Sequence, residues 1–171
     1  MLRNTISAIG AGFLVLVSGG MASSAPSPSF ISNDSYKVAQ TNVNTAAIEA
    51  YVFQQINQYR SSQNLPPLTR NSRIDEQARI HSQNMASGKV PFSHDGFQAR
   101  VRAIGIPFSR VAENVAYNQG SRDPATTAVQ GWLKSSGHLA NIRGNYNLTG
   151  IGVASNSKGQ IFFTQIFLTS R

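Results

Sequence analysis

Apolar side chains from Thr45 onward recur in patterns that predict four helices followed by a hairpin. Ile48, Tyr51, Val52, Ile56 and Tyr59 return at helical spacing and define an amphipathic first helix. Leu65-Pro-Pro-Leu68 closes it with a rigid extended turn. Ile74, Ala78, His81 and Met85 share one face of a second helix, with Ser72 and Asp75 as its expected capping pair and Gly88 as its stop. On that face His81 reads as a core or cleft-edge histidine. Val90–His94 should be a loop, after which Phe97, Val101 and Ile104 mark a short helix ended by Gly105. Arg100 and Arg102 read as its solvated face. Val111–Ala116 fits either a strand or a single helical turn. Asp123-Pro124 opens the fourth helix, with Asp as N-cap and Pro in the first position. Ala125, Ala128, Val129, Trp132 and Leu133 form its buried stripe; Gly137 should break it before a further turn over His138–Ile142.

The C-terminal pattern is that of strands. Gly150–Ala154 and Gln160–Leu168 flank a hairpin loop over Asn156–Gly159. The second strand is apolar on both faces, with Ile161, Phe163 and Phe167 on one and Phe162, Ile166 and Leu168 on the other. Such a strand belongs in the middle of a sheet covered on both sides. Helices first and hairpin last make the fold α+β.

Ahead of these elements the composition changes. Arg3, the apolar run Ile6–Val17 and the small residues around Ala22–Ala25 predict a signal peptide over 1–25. The run is too short for a spanning helix, so the mature protein should carry no transmembrane segment and be secreted or periplasmic. Residues 26–44, rich in Ser, Asn, Thr and Pro, read as a disordered linker, and 45–171 as one domain. The absence of cysteine excludes a lipoprotein anchor and leaves the core alone to hold the fold. A cysteine-free secreted chain reads as bacterial, so the glycosylation patterns at Asn33 and Asn147 carry no weight. A net charge of +8 favours adhesion to anionic lipid or an anionic cell-surface polymer. No run of basic and aromatic residues suggests nucleic acid as a partner. A monomer is expected.

Short motifs add a family. In order, Asn57-Gln-Tyr-Arg60, Leu65-Pro-Pro-Leu68, Phe92-Ser-His94, Ala112-Glu-Asn-Val115, Trp132-Leu-Lys-Ser-Ser-Gly-His138, Ala140-Asn-Ile142, Gly150-Ile-Gly-Val153 and Phe163-Thr-Gln-Ile-Phe167 resemble the CAP superfamily, or SCP domain, in its short bacterial form. The resemblance implies an α–β–α sandwich with a central antiparallel sheet between helical layers. It also implies a cleft lined by two histidines, matching His94 and His138, and two acids, one matching Glu113. The second acid would stand three residues after Trp132, where this chain has Ser135. Asn114 and Ser135 complete the expected lining.

The chemistry of such a cleft stays open at this level. A catalytic zinc takes three protein ligands and needs a base. Here His94 and His138 could hold Zn²⁺ or another divalent metal only weakly, and Glu113 cannot be both ligand and base. No HExxH spacing is present. Ser93, Ser135 and Ser136 lie near the histidines, but without a Gly-x-Ser-x-Gly elbow. A hydrogen-bonded cluster with a structural role fits the spacing equally well. Binding of a ligand or envelope component is the expected function, with a metal-dependent peptidase or esterase as the alternative. If there is catalysis, Glu113 is its expected centre.

Overall fold

A computed structural model describes residues 43–171. The expected signal peptide, and the expected linker up to residue 42, lie outside the described residues. The elements are α1 (Thr45–Ser62), β1 (Thr69–Arg70), α2 (Ser72–Ala86), α3 (Phe97–Ile104), β2 (Phe108–Gln119), α4 (Pro124–Lys134), α5 (Ser136–Arg143), β3 (Leu148–Ser155) and β4 (Gln160–Ser170). The sheet order is β1-β3-β4-β2, so the strand that is apolar on both faces is flanked on both sides. β4 pairs antiparallel with β3 and β2, while β1 adds two residues parallel to β3. That short edge makes the otherwise antiparallel sheet mixed.

Each face of β4 carries its own helical layer. Ile161, Phe163 and Phe167 pack with Val52 and Ile56 of α1, Val129 and Trp132 of α4 and Ile142 of α5. Opposite them, Ile166 and Leu168 meet Ile74 and Ala78 of α2 and Ile104 of α3, and Phe162 meets Met85. Gly159 turns the hairpin at φ +73°, a conformation that favours glycine.

Several boundaries differ from the sequence expectation. Asn71, not Ser72, caps α2, its side chain accepting from the backbone of Arg73 and Ile74. Asp75 is drawn away to Arg70 and to the Ile151 N–H. Asn44 caps α1, and Val43 packs on the core. Gly137 lies inside α5; the break falls at Ser135, whose extended backbone (φ −101°, ψ 121°) ends α4 and starts α5. Val111–Ala116 belongs to a strand of 12 residues.

Side chains cover both edges of the sheet. Beyond β1, the outward N–H groups of Ile151 and Val153 donate to Asp75 and Glu49. Arg70 and Arg79 neutralise these two carboxylates. On the other edge, the outward carbonyls of Glu113 and Val115 accept from Asn141 and from the Trp132 indole. An unpaired sheet edge invites pairing with other chains, and these groups remove that option along much of both edges. Arg60, buried without an acidic partner among the described residues, donates to the carbonyls of Pro66, Ile142 and Gly144 and so ties α1 to the end of α5.

Candidate functional site

Strand β2 distributes the site residues by its alternation. Glu113 shares the face of Val111 and Val115 and points into the α2–α3 layer, whereas Asn114 points into the α4–α5 layer. Glu113 is buried and held by Arg100, whose Nε donates to Oε2 at 3.0 Å and whose Nη2 donates to Oε1 at 2.7 Å. Arg100 is 8% exposed, which overturns its reading as a solvated residue; Arg102 is exposed as expected. The signal was present in the pattern. Phe97, Arg100, Val101 and Ile104 form one i, i+3, i+4, i+7 stripe, and charge alone set Arg100 apart from it.

The same guanidinium donates to the carbonyls of Asp95 and His94 at 2.6 and 3.4 Å, fixing the loop that carries His94. His94 Nδ1 lies 2.9 Å from Glu113 Oε1. A carboxylate partner makes Nδ1 the protonated nitrogen and leaves Nε2 directed away from Glu113. The His94 side chain is 53% exposed, so an anchored imidazole faces solvent. Beneath the loop, His81 is the core residue its position predicts. It sits 2.9 Å from the Ser93 carbonyl, and burial lowers its pKa, partly opposed by that hydrogen bond.

Asn114 organises the opposite wall. Its Nδ2 donates to the His138 carbonyl at 3.2 Å and its Oδ1 accepts from Asn141 at 2.9 Å, which docks α5 on β2. The His138 ring makes no hydrogen bond among the described residues. Burial lowers its pKa first, and the charge of His94 lowers it further, so the two imidazoles share one electrostatic environment. Ser135 stands at the α4–α5 junction.

Next to His138 runs a groove of about 430 Å³, lined by Phe92, Tyr117, Trp132, Ser135 and His138 among others. Phe92 and Tyr117 meet edge to face at 5.2 Å, and Tyr117 stacks on Phe162 at 5.7 Å. Phe108, at the start of β2, packs with the α2–α3 cluster. A second hollow of about 460 Å³ lies between the start of α1 and the start of α4 and contains none of the histidines.

The geometry limits the chemistry. Both Glu113 oxygens are engaged by Arg100, so this carboxylate is neither a free base nor an open metal ligand. Among the described residues no group of three or more His, Cys, Asp or Glu is arranged to hold a metal. A three-ligand catalytic zinc therefore does not fit; the donors left are the imidazoles of His94 and His138. The Ser93 hydroxyl accepts from the Asp95 N–H in a local turn, and no serine hydroxyl hydrogen-bonds an imidazole among the described residues. Sequence reasoning brought together His94, Glu113, Asn114, Ser135 and His138 but missed Arg100, Asn141 and Tyr117.

Comparisons with known proteins agree with this fold. The profile of the cysteine-rich secretory protein family, CAP, matches residues 53–167. The chain is similar to an extracellular SCP-domain protein from Bacillus anthracis, with 29% identity and a TM-score of 0.62 over 74% of this chain. A cysteine-rich secretory protein from Staphylococcus aureus aligns over 75% of this chain at 20% identity and a TM-score of 0.61. The chain spans 41% of the length of each of these two structures. An outer surface protein from Borrelia burgdorferi is similar over 73% of this chain and 94% of its own, at 16% identity and a TM-score of 0.64. Identities this low for the last two carry the fold alone. A search of curated proteins found no match.

Proposed function

Because the chain belongs to the cysteine-rich secretory protein (CAP) family, over the matched residues 53–167, we propose that it is a secreted bacterial binding protein whose cleft holds an anionic component of the cell envelope. His94 and His138 contact the ligand, Glu113 and Arg100 position His94, and Asn114 and Ser135 shape the opposite wall. The observation that carries this reading is the bidentate Arg100–Glu113 pair, which spends the one buried carboxylate of the cleft on an ion pair. A hydrolase would need that carboxylate as base or ligand. Secretion draws support from the N-terminal composition and from the extracellular relative. No helix among the described residues is long and apolar enough to cross a membrane.

The test is retention of the full chain on phosphatidylglycerol vesicles and on an anionic polysaccharide resin, beside a His94→Ala/His138→Ala variant. Retention on either, lost in the folded double variant, is expected. Zinc calorimetry on the same pair decides the alternative. Two imidazoles alone should hold Zn²⁺ too weakly to survive dialysis. Tight zinc binding lost in the variant, together with peptide or ester turnover lost in His94→Ala, would replace the binding reading with a metal-dependent hydrolase.

A further inference from the structure

We infer that the groove beside His138 is a sugar-binding subsite that seats an acidic pyranose polymer against the exposed rings of Phe92 and Tyr117. The inference rests on the envelope-binding reading and names its ligand class. Two observations carry it, the exposed aromatics beside a mixed polar and apolar wall, and the net charge of +8.

Phe92 is 47% and Tyr117 is 52% exposed, although Phe92 packs edge to face with Tyr117 and Tyr117 stacks on Phe162. Large apolar rings held in place by one another yet left half in water are prepared for a partner with a flat apolar face. Around them the wall combines Asn118, Thr127, Ser135 and His138 with Val115, Ala116 and Ala128. A pyranose ring is likewise mixed, with C–H faces above and below and hydroxyls around its rim.

Other ligands fit less well. An acyl chain or sterol is best served by an enclosed apolar cavity, whereas this groove is open and edged by amide, hydroxyl and imidazole groups. An extended peptide would add to the β2 edge. The Glu113 and Val115 carbonyls of that edge are already taken by Asn141 and Trp132. Charge selects among sugars. Among the described residues neither a carboxylate nor a lysine or arginine lines the groove, so the preference for an acidic polymer comes from the net charge of +8 acting at a distance.

Gly131 provides the sharpest test. It lies on the groove side of α4, and a Cβ built there meets nothing within 4 Å. Gly131→Leu therefore fills the groove while replacing a poor helix former with a good one. The probes are tetragalacturonic acid, chitotetraose as a neutral pyranose, and phosphatidylglycerol vesicles. The single tryptophan, Trp132 in the groove wall, supplies the fluorescence readout. Tetragalacturonic acid should bind the full chain more tightly than chitotetraose. Phe92→Ala and Tyr117→Thr should each weaken it about tenfold, as loss of an aromatic anchor does. Gly131→Leu should abolish binding with no fall in melting temperature. Failure of both sugars to bind, or affinities unchanged in all three folded variants, overturns the subsite. If vesicles alone bind, and His94→Ala/His138→Ala releases them, the subsite is wrong and the envelope-binding cleft stands. If no probe binds, both readings fall.

Discussion

Arg100 decides the character of the site. It neutralises a carboxylate that would otherwise be buried alone, and it fixes the backbone on which His94 rides. Arg100→Ala should cost about 3–5 kcal/mol in denaturant unfolding, because it strands the Glu113 charge. Arg100→Met with Glu113→Leu should recover most of that loss, since an apolar pair of similar volume removes both charges. A single variant as stable as the parent would mean that Glu113 is already neutral or solvated. Asn57 shows the same economy in a purely structural role. It donates to the Leu68 carbonyl and accepts from the Leu68 N–H, latching the Pro66-Pro67 turn to α1.

At the scale of elements, family motifs that read as signatures resolve into contacts between backbones. Trp132 and Asn141, at the two ends of the motif that carries His138, supply donors to the β2 edge. Gly150-Ile-Gly-Val153 lets α2 lie directly on β3. A Cβ at Gly150 would overlap the backbone of Ile74 and Asp75, and one at Gly152 that of Ala78 and Arg79. Gly152→Ala should therefore destabilise by about 1–3 kcal/mol or more, because the obstacle is helix backbone rather than a movable side chain. The melting temperature reads the effect; no change would show that α2 can shift freely on the sheet. The helix stripes, the Gly159 hairpin and the two-faced β4 were legible from periodicity. The edge contacts were not, because they join residues far apart in sequence and obey no local spacing.

For the molecule as a whole, no cysteine reinforces the fold, so stability rests on the layers packed about β4 and on a few buried polar groups. His81 and His138 make that stability depend on pH. Burial lowers both pKa values below the ordinary 6.5, so the unfolded chain binds protons more readily. Their contribution is then full above about pH 6.5 and is lost as pH falls toward the folded values. Melting temperature should drop on acidification through that range, and His81→Gln should flatten the slope. An equal slope in the variant would assign the acid sensitivity to other groups.

The sequence by itself determined the fold class, the central strand, the two-layer burial and the short motifs bearing His94, Glu113 and His138, because each is written in local periodicity or in adjacent residues. Tertiary structure alone decided what Glu113 is available to do. Whether a carboxylate is a base, a ligand or half of an ion pair depends on the group folded against it, and Arg100 reaches Glu113 from α3, across the connection to β2. It likewise decided that Phe92, Tyr117 and Phe162, distant along the chain, form one aromatic cluster, with Phe92 and Tyr117 on the groove that His138 lines, since strand register and loop path set that neighbourhood.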